Sequence, residues 1–303
     1  MQAYLHRLFA HAVRTHFSAF LEKAFSTVAP GQRFLPNWHL EAIAAHLEAC
    51  ERGDITRLII NMPPRMLKSV TVSVAWPAWL LAQNPAARIM VASYAQSLSV
   101  KHSLDCRLVM QSPWYRALFP NTCISSGQNE KHKYVTTKRG HRIAVSVGGA
   151  ATGEGGNVLI VDDPLNPLQA MQKTARDAAN EWFQHTFVSR LDDKKKGCII
   201  VVMQRLHMDD LSGILQKQRD WHVLNLPAIA PKDTIIRCGN FHYTRRANQP
   251  LHPEREDAAL LERTKQELGS IHFAAQYQQC PQRLEGSMVP LAWFARYYPE
   301  AVL

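Results

Sequence analysis

The sequence lacks the marks of several large protein classes. Its six cysteines never come closer than 17 residues, so it has no CxxC knuckle and no dense disulfide framework. A reducing, intracellular setting is the simplest reading. The longest apolar run, Val70 to Ala82, is 13 residues interrupted by Thr71, Ser73 and Pro77, short of the ~20 that a membrane-spanning helix requires. His6, Arg7, His11 and Arg14 break up any secretory apolar segment, and the spacing of Leu5, Phe9, Val13, Phe17 and Phe20 predicts an amphipathic helix instead. No HExxH, Cys–His zinc spacing or G-x-S-x-G occurs, which leaves zinc hydrolysis and acyl transfer without support. There is no fixed-period repeat and no low-complexity tract longer than Lys194-Lys195-Lys196. A soluble, cytoplasmic protein with no membrane partner is expected.

What is present is the composition of a globular chain: 303 residues, 46% of them apolar, with 14 Gly and 17 Pro, which excludes collagen-like and disordered classes. Lys and Arg number 35 against 25 Asp and Glu, a surplus of +10. That balance is compatible with a polyanionic partner without specifying one.

Short apolar runs rich in Ile and Val read as buried strands: Leu58 to Met62, Arg88 to Tyr94, Arg142 to Val147, Val158 to Val161 and Cys198 to Met203. Helical spacing falls between them, at Glu41 to Glu51, Ser69 to Ala82, Leu98 to Met110 and one long stretch from about Leu168 to Leu191. Strands buried on both faces and separated by helices predict an α/β fold with a mostly parallel central sheet flanked by helices. After Pro227 prolines punctuate the chain and one charged helix, Glu254 to Leu268, stands out, so a small C-terminal subdomain is expected. Lys131, His132, Lys133, Lys138, Arg139, His141 and Arg142 crowd together with no acid among them, which reads as a solvated basic hairpin or a DNA contact.

The strongest local feature is Asn61-Met62-Pro63-Pro64-Arg65-Met66-Leu67-Lys68-Ser69, between the first strand and the following helix. A phosphate site needs a positive helix end, a lysine for the β- and γ-phosphates and a hydroxyl for Mg²⁺, and Lys68 and Ser69 fit the last two needs. Met62 and Leu67 stand where G-x-x-x-x-G-K-[ST] has its glycines, so the segment alone also fits an ordinary strand-to-helix loop. Further on, Val158 to Val161 ends in Asp162-Asp163. A carboxylate at a strand tip beside the phosphate loop completes a Mg²⁺ site. Asp162 suits that role, and Asp163 suits that of orienting or deprotonating the attacking water. Cys198 to Met203 ends in Gln204, a candidate γ-phosphate sensor. Gly148 to Gly156 is the only glycine-rich stretch, and His207-Met208-Asp209-Asp210 reads as a helix cap rather than a metal site.

Together these blocks resemble the large terminase subunit of tailed bacteriophages, the ATP-driven motor that packs viral DNA. The resemblance runs through Pro36-Asn37-Trp38-His39, Ile59 to Arg65 with Lys68-Ser69, Ala92-Ser93-Tyr94, Ser146 to Gly149, Ile160 to Pro164, Asn180 to Phe183, Val202 to His207, Leu226 to Ala230 and Ala275 to Gln279. It implies a P-loop NTPase with ATP and Mg²⁺ as ligands. Arg65, Lys68 and Ser69 would hold phosphate, Ser69 and Asp162 the metal, and Trp38 and His39 the adenine, with His39 standing where relatives often have Gln. Asp163 would stand at the water-activating position, Arg65 near the γ-phosphate, and Gln204 in the coupling motif. An arginine finger from a neighbouring subunit is implied, with Arg107, Arg116, Arg139 and Arg190 as candidates.

By the same resemblance, residues 1–35 form an N-terminal helical segment, 36–225 the ATPase core and 226–303 a small lid or linker. Family members continue from a segment like Trp293 to Tyr298 into a nuclease domain, so this chain is expected to hydrolyse ATP without cutting DNA. Double-stranded DNA, a portal protein, a small terminase subunit and further copies of the chain are the implied partners, in the cytoplasm of a bacterial host. A helicase-like DNA-dependent ATPase, or a relic that only binds nucleotide or DNA, are the alternatives.

Overall fold

The computed structural model describes residues 2–149 and 153–282, with side chains from residue 7 onward. The segment around Trp293 to Tyr298 and residues 150–152 of the glycine-rich stretch lie outside it. Six parallel strands carry the sheet: β1 (Arg57–Asn61), β2 (Arg88–Ser93), β5 (His141–Ser146), β6 (Val158–Asp162), β7 (Cys198–Met203) and β8 (His222–Asn225). Two antiparallel strands, β3 (Ile124–Asn129) and β4 (Lys133–Thr136), extend it beyond β5. The order is β3-β4-β5-β2-β6-β7-β1-β8. The central strands are Ile- and Val-rich because both faces are covered; all of β7 is buried. The register pairs Asn61 with Met203 and Asp162 with Val202, so the carboxyl ends of β1, β7 and β6 lie side by side.

The N-terminal amphipathic stretch is two helices, α1 (Gln2–Thr15) and α2 (Phe17–Val28), because His16 is extended at φ −124 and ψ 120. Phe17 and Phe20 of α2 pack edge-on against Trp76, Trp114 and Tyr115 and are fully buried. The expected Glu41 to Glu51 helix is α3 (Trp38–Arg52), closed by Gly53 in the left-handed region at φ 82.

The expected Ser69 to Ala82 helix is a wide π segment, Val70–Ala75, running into α4 (Trp76–Gln83). Pro77 is the cause: it has no N–H for the carbonyl of Ser73, four residues back, and Arg142 Nη2 takes that carbonyl at 3.1 Å. After β2 come α5 (Gln96–Gln111) and α6 (Pro113–Leu118). The long 168–191 stretch is also broken, into α7 (Pro167–Met171) and α8 (Lys173–Glu181), followed by a π turn at Trp182–Phe187 and a 3₁₀ turn at Val188–Arg190. Extended Gln172 marks the break, and Arg176 Nη1 takes the carbonyl of Ala170 at 2.8 Å.

Past β7, α9 (Leu211–Leu215) is capped by Asp210, as the cap reading expects. A hairpin of β9 (Thr234–Cys238) and β10 (Phe241–Arg245) lies against α3, where Trp38 stacks on Tyr243 at 4.3 Å. The charged C-terminal helix is α10 (Ala258–Leu268), beginning four residues later than expected because the Asp257 side chain caps it through Leu260 N–H. After α11 (Ser270–Gln276), Tyr277 accepts from Ala228 N–H at 2.7 Å, and buried Arg245 donates to the carbonyls of Pro227, Ala228 and Gln249. All six cysteines are free. No helix among the described residues is long and apolar enough to cross a membrane.

Candidate nucleotide site

The loop leaving β1 makes the turn that glycines usually make, without glycine. Arg65 and Leu67 sit in the left-handed region at φ 63 and φ 65, a conformation costing about 1–3 kcal/mol for such residues. Neighbouring anchors impose it. Met62 and Met66 are sunk in the core, Met62 N–H reaches the carbonyl of Met203, and Thr71 holds the carbonyl of Leu67 with both N–H and Oγ1 at 2.9 Å. The loop therefore hands Lys68 and Ser69 to the start of the following helix.

Lys68 Nζ lies 2.9 Å from Asp163 Oδ2. Ser69 Oγ donates to Asp162 Oδ1 at 3.1 Å, and Ser73, one turn further on, donates to Asp162 Oδ2 at 2.7 Å. Asp162 is fully buried, and burial raises the carboxyl pKa of both it and Asp163, against the pull of Lys68. Burial draws the Lys68 ammonium down, but Asp163 and Asp162 outweigh it and hold its pKa above the ordinary lysine value. Asp163 is itself left-handed at φ 48 and is tied to the sheet by three contacts: its N–H to Val202, its carbonyl to Tyr94, and Oδ1 to Gln204 N–H at 3.3 Å. Gln204 Oε1 is buried with no hydrogen-bond partner among the described residues.

Lys68, Ser69, Asp163 and Gln204 line one cleft of about 590 Å³, with Arg65 exposed on its wall. Other lining residues were not legible in the sequence: Phe25, Val28, Ala29 and Gln32 come from α2 and the turn after it, and Tyr94 and Arg255 also line the cleft. Ser73 and His102 were also missed. His102 Nδ1 is 3.6 Å from Asp162 Oδ2, and burial, with Arg142 nearby, lowers its pKa to about 4. The four-residue spacing of Ser69 and Ser73 was the available signal, since it sets two hydroxyls on one helix face. A second hollow of about 550 Å³ near His16, Glu48 and Phe241 contains none of these groups.

Trp38 and His39 do not reach the cleft. Trp38 is covered by Tyr243 and by the Arg245 guanidinium, 5.5 Å from its ring. His39 is buried behind the loop with Nε2 3.4 Å from the carbonyl of Met66, and burial, then His252, lowers its pKa to about 3. None of Arg107, Arg116, Arg139 and Arg190 lines the cleft. The basic hairpin is only partly solvated: Arg142 is fully buried, His141 is buried against the carbonyl of Gly155, and Lys133 pairs with Glu154. Its segment lacks acids, but Glu154 comes from the glycine-rich stretch.

A mostly parallel sheet carrying Lys-Ser after β1 and Asp-Asp at the end of β6, with β7 between them, has a P-loop NTPase-like architecture. The likeness among solved structures is to phage large terminases. The large terminase of bacteriophage HK97 matches with a TM-score of 0.53 at 14% identity, over 89% of this chain and 55% of that one. The ATPase domain of the Thermus phage P74-26 large terminase matches at 0.50 and 13%, over 84% of this chain and 95% of that one, and a point mutant of it at 0.53 and 12%. At these identities the likeness is one of fold, and the chain spans about half the length of the HK97 protein. No protein-family model matches the sequence, and no curated protein does.

Proposed function

We propose that the chain is the ATPase motor part of a phage or prophage DNA-packaging terminase, coupling ATP hydrolysis to movement of double-stranded DNA. The observation that carries this reading is the pairing of Lys68 with Asp163 on the wall of one cleft, with Ser69 on the same wall bonded to Asp162 buried just behind it. Ser69 Oγ and Asp162 Oδ1 are adjacent hard oxygen donors and fit Mg²⁺, which keeps several waters and takes its other ligands from phosphate. Bound there, the metal would supply charge neutralisation at the β- and γ-phosphates.

The chain's own groups do the rest. Lys68 leaves Asp163 for the phosphate oxygens, with Arg65 adding positive charge from the cleft wall. Asp163, released, orients a water in line with the γ-phosphorus, and its raised pKa suits it to accept the proton as the bond to ADP breaks. Gln204 Oε1, buried and unpaired, is placed to hold that water and to register loss of the γ-phosphate. Phe25, Val28 and Gln32, which line the cleft, would receive the nucleoside, a role the resemblance gives to Trp38 and His39. Residues 36–225 would form the motor core and the described part of 226–303 a lid or linker. Portal protein, small terminase subunit and neighbouring copies are the partners this reading implies.

The test is Mg²⁺-dependent ATP hydrolysis by the intact chain beside Lys68→Ala and Asp163→Asn. Turnover should fall to background in both, while Asp163→Asn still binds a fluorescent ATP analogue; equal turnover in all three would sink the reading. A non-catalytic nucleotide-binding module is the second reading. The Lys68–Asp163 ion pair favours it, because each group neutralises the other, and binding without turnover in the intact chain would establish it.

A further inference from the structure

The nucleotide cleft gathers at the carboxyl ends of the parallel strands; the opposite, amino edge of the same sheet holds a group of exposed cations that the site does not use. Two tight turns present them. The first joins β4 to β5: Thr136 Oγ1 accepts from the N–H groups of Lys138 and Gly140, and Arg139 is left-handed at φ 68. Gly140 lies so close to the carbonyls of Pro85 and Ala87 that no larger residue fits, which fixes the turn against the entry to β2. The second precedes β7: Asp193 Oδ1 accepts from the N–H groups of Lys195 and Lys196, and Gly197 N–H closes back on the Asp193 carbonyl. Arg57 Nη1 pins that turn through the carbonyl of Gly197.

Lys138, Arg139, Lys194, Lys195 and Lys196 are all exposed and form no ion pair among the described residues. Four acids of this edge are engaged, Asp192 with Arg88, Glu154 with Lys133, Asp54 with Arg52 and Asp193 within its own turn, while exposed Asp220 lies near Arg57 before β8. In the strand order β5-β2-β6-β7 the two turns stand three strand spacings apart, about 14 Å. That is close to the ~12 Å width of a B-form major groove. None of the exposed large apolar side chains lies in these turns, so the surface lacks the anchors of a membrane-binding face.

We propose that these two turns form a binding surface for the phosphate backbone of duplex DNA, on the edge of the sheet opposite the nucleotide cleft. Backbone contacts of this kind carry no sequence information, and rigid turns spend little entropy in making them. β7 joins the surface to the cleft directly, with Lys196 two residues before its first residue and Gln204 just after its last. The choice of duplex DNA as the polyanion rests on the motor reading; the arrangement of charge does not. The surface keeps Lys138 and Arg139 of the basic 131–142 segment and leaves out Lys133 and Arg142, which are occupied or buried.

The experiment is fluorescence anisotropy of the full chain with a labelled duplex of about 24 base pairs, roughly two helical turns, from about 50 to 200 mM salt. Compared are the intact chain, Lys138→Gln/Arg139→Gln, Lys194→Gln/Lys195→Gln/Lys196→Gln, and a control Lys173→Gln/Lys265→Gln on other faces. Each lost phosphate contact should flatten the log–log salt slope by about 0.9. The triple variant should therefore lose roughly 2–3 units of slope and the double roughly 1–2, with the control unchanged. Thermal midpoints confirm that the exposed substitutions leave the fold intact. Unchanged slopes in both variants, no binding by the intact chain, or equal binding to phosphatidylglycerol vesicles would overturn the proposal. Slopes that shift in a chain without ATP turnover would refute the nucleotide reading alone, and turnover with unmoved slopes would refute this surface alone.

Discussion

Leu67 at φ 65 and Asp163 at φ 48 hold backbone conformations that glycine adopts at no cost. Both stand on the cleft, and both are over-determined by hydrogen bonds, Asp163 to Val202 of β7, Tyr94 after β2 and Gln204 after β7, and Leu67 to Thr71 in the helix after the loop. Asp162 is held differently, through two serine hydroxyls, and its full burial makes each matter. Ser73→Ala removes the 2.7 Å donor to a buried carboxylate and should cost about 1–3 kcal/mol of stability, read as a lower urea midpoint at unchanged m-value.

The buried histidines give a pH dependence of definite sign. Burial lowers the pKa of His39 to about 3 and of His46 to about 4, and lowers those of His141, His222 and His252. The unfolded chain, with histidines near 6.5, then binds more protons than the folded one between pH 6.5 and about 4. Stability should fall as pH drops through that window. Asp162 and Asp163, raised by burial, oppose this but are outnumbered, so thermal midpoints constant or rising from pH 6.5 to 4.5 would contradict the assignment. Lys68, Ser69, Asp162, Asp163 and Gln204 were legible as a set because each sits at a strand tip or helix start. Burial of Arg142 was legible only in part: it opens an expected buried strand, yet it also belongs to a run of cations read as a solvated hairpin.

At the scale of elements, β7 matched its expected span and β1, β2, β5 and β6 lay within a residue of theirs, because a two-sided buried strand writes its length in Ile and Val. Helices were less legible. The 168–191 pattern reads as one helix, yet the chain is extended at Gln172 and the Arg176 side chain takes the carbonyl of Ala170 across the break, a side-chain bond that periodicity does not encode. The segment after β7 shows the same limit. Arg205 pairs with Asp210 at 2.9 Å, Asp210 also accepts from the N–H groups of Leu206, His207 and Gly213, and Gln279 Oε1 takes Arg205 N–H from the far end of the chain. The cap was legible from Asp210; its ion pair with Arg205 was not. Asp210→Ala leaves the buried guanidinium and three N–H groups without their carboxylate and should destabilise by about 3–5 kcal/mol. A denaturant midpoint within error of the intact chain would show that solvent replaces the carboxylate.

For the whole molecule, the sheet order sets β7 between the phosphate-loop strand and the acidic strand, so Gln204 stands between Ser69 and Asp163 in one cleft, and each strand tip is connected through its strand to the opposite edge. That geometry suits a device in which events at the γ-phosphate are felt at a distant surface. Coupling between nucleotide and DNA is therefore the decisive property. The measurement is steady-state Mg²⁺-dependent ATP hydrolysis by the intact chain with and without linear duplex DNA, beside Lys68→Ala at matched concentration. The expected result is turnover that rises when duplex is added and is absent in Lys68→Ala; turnover indifferent to duplex, or surviving the loss of Lys68, would contradict it.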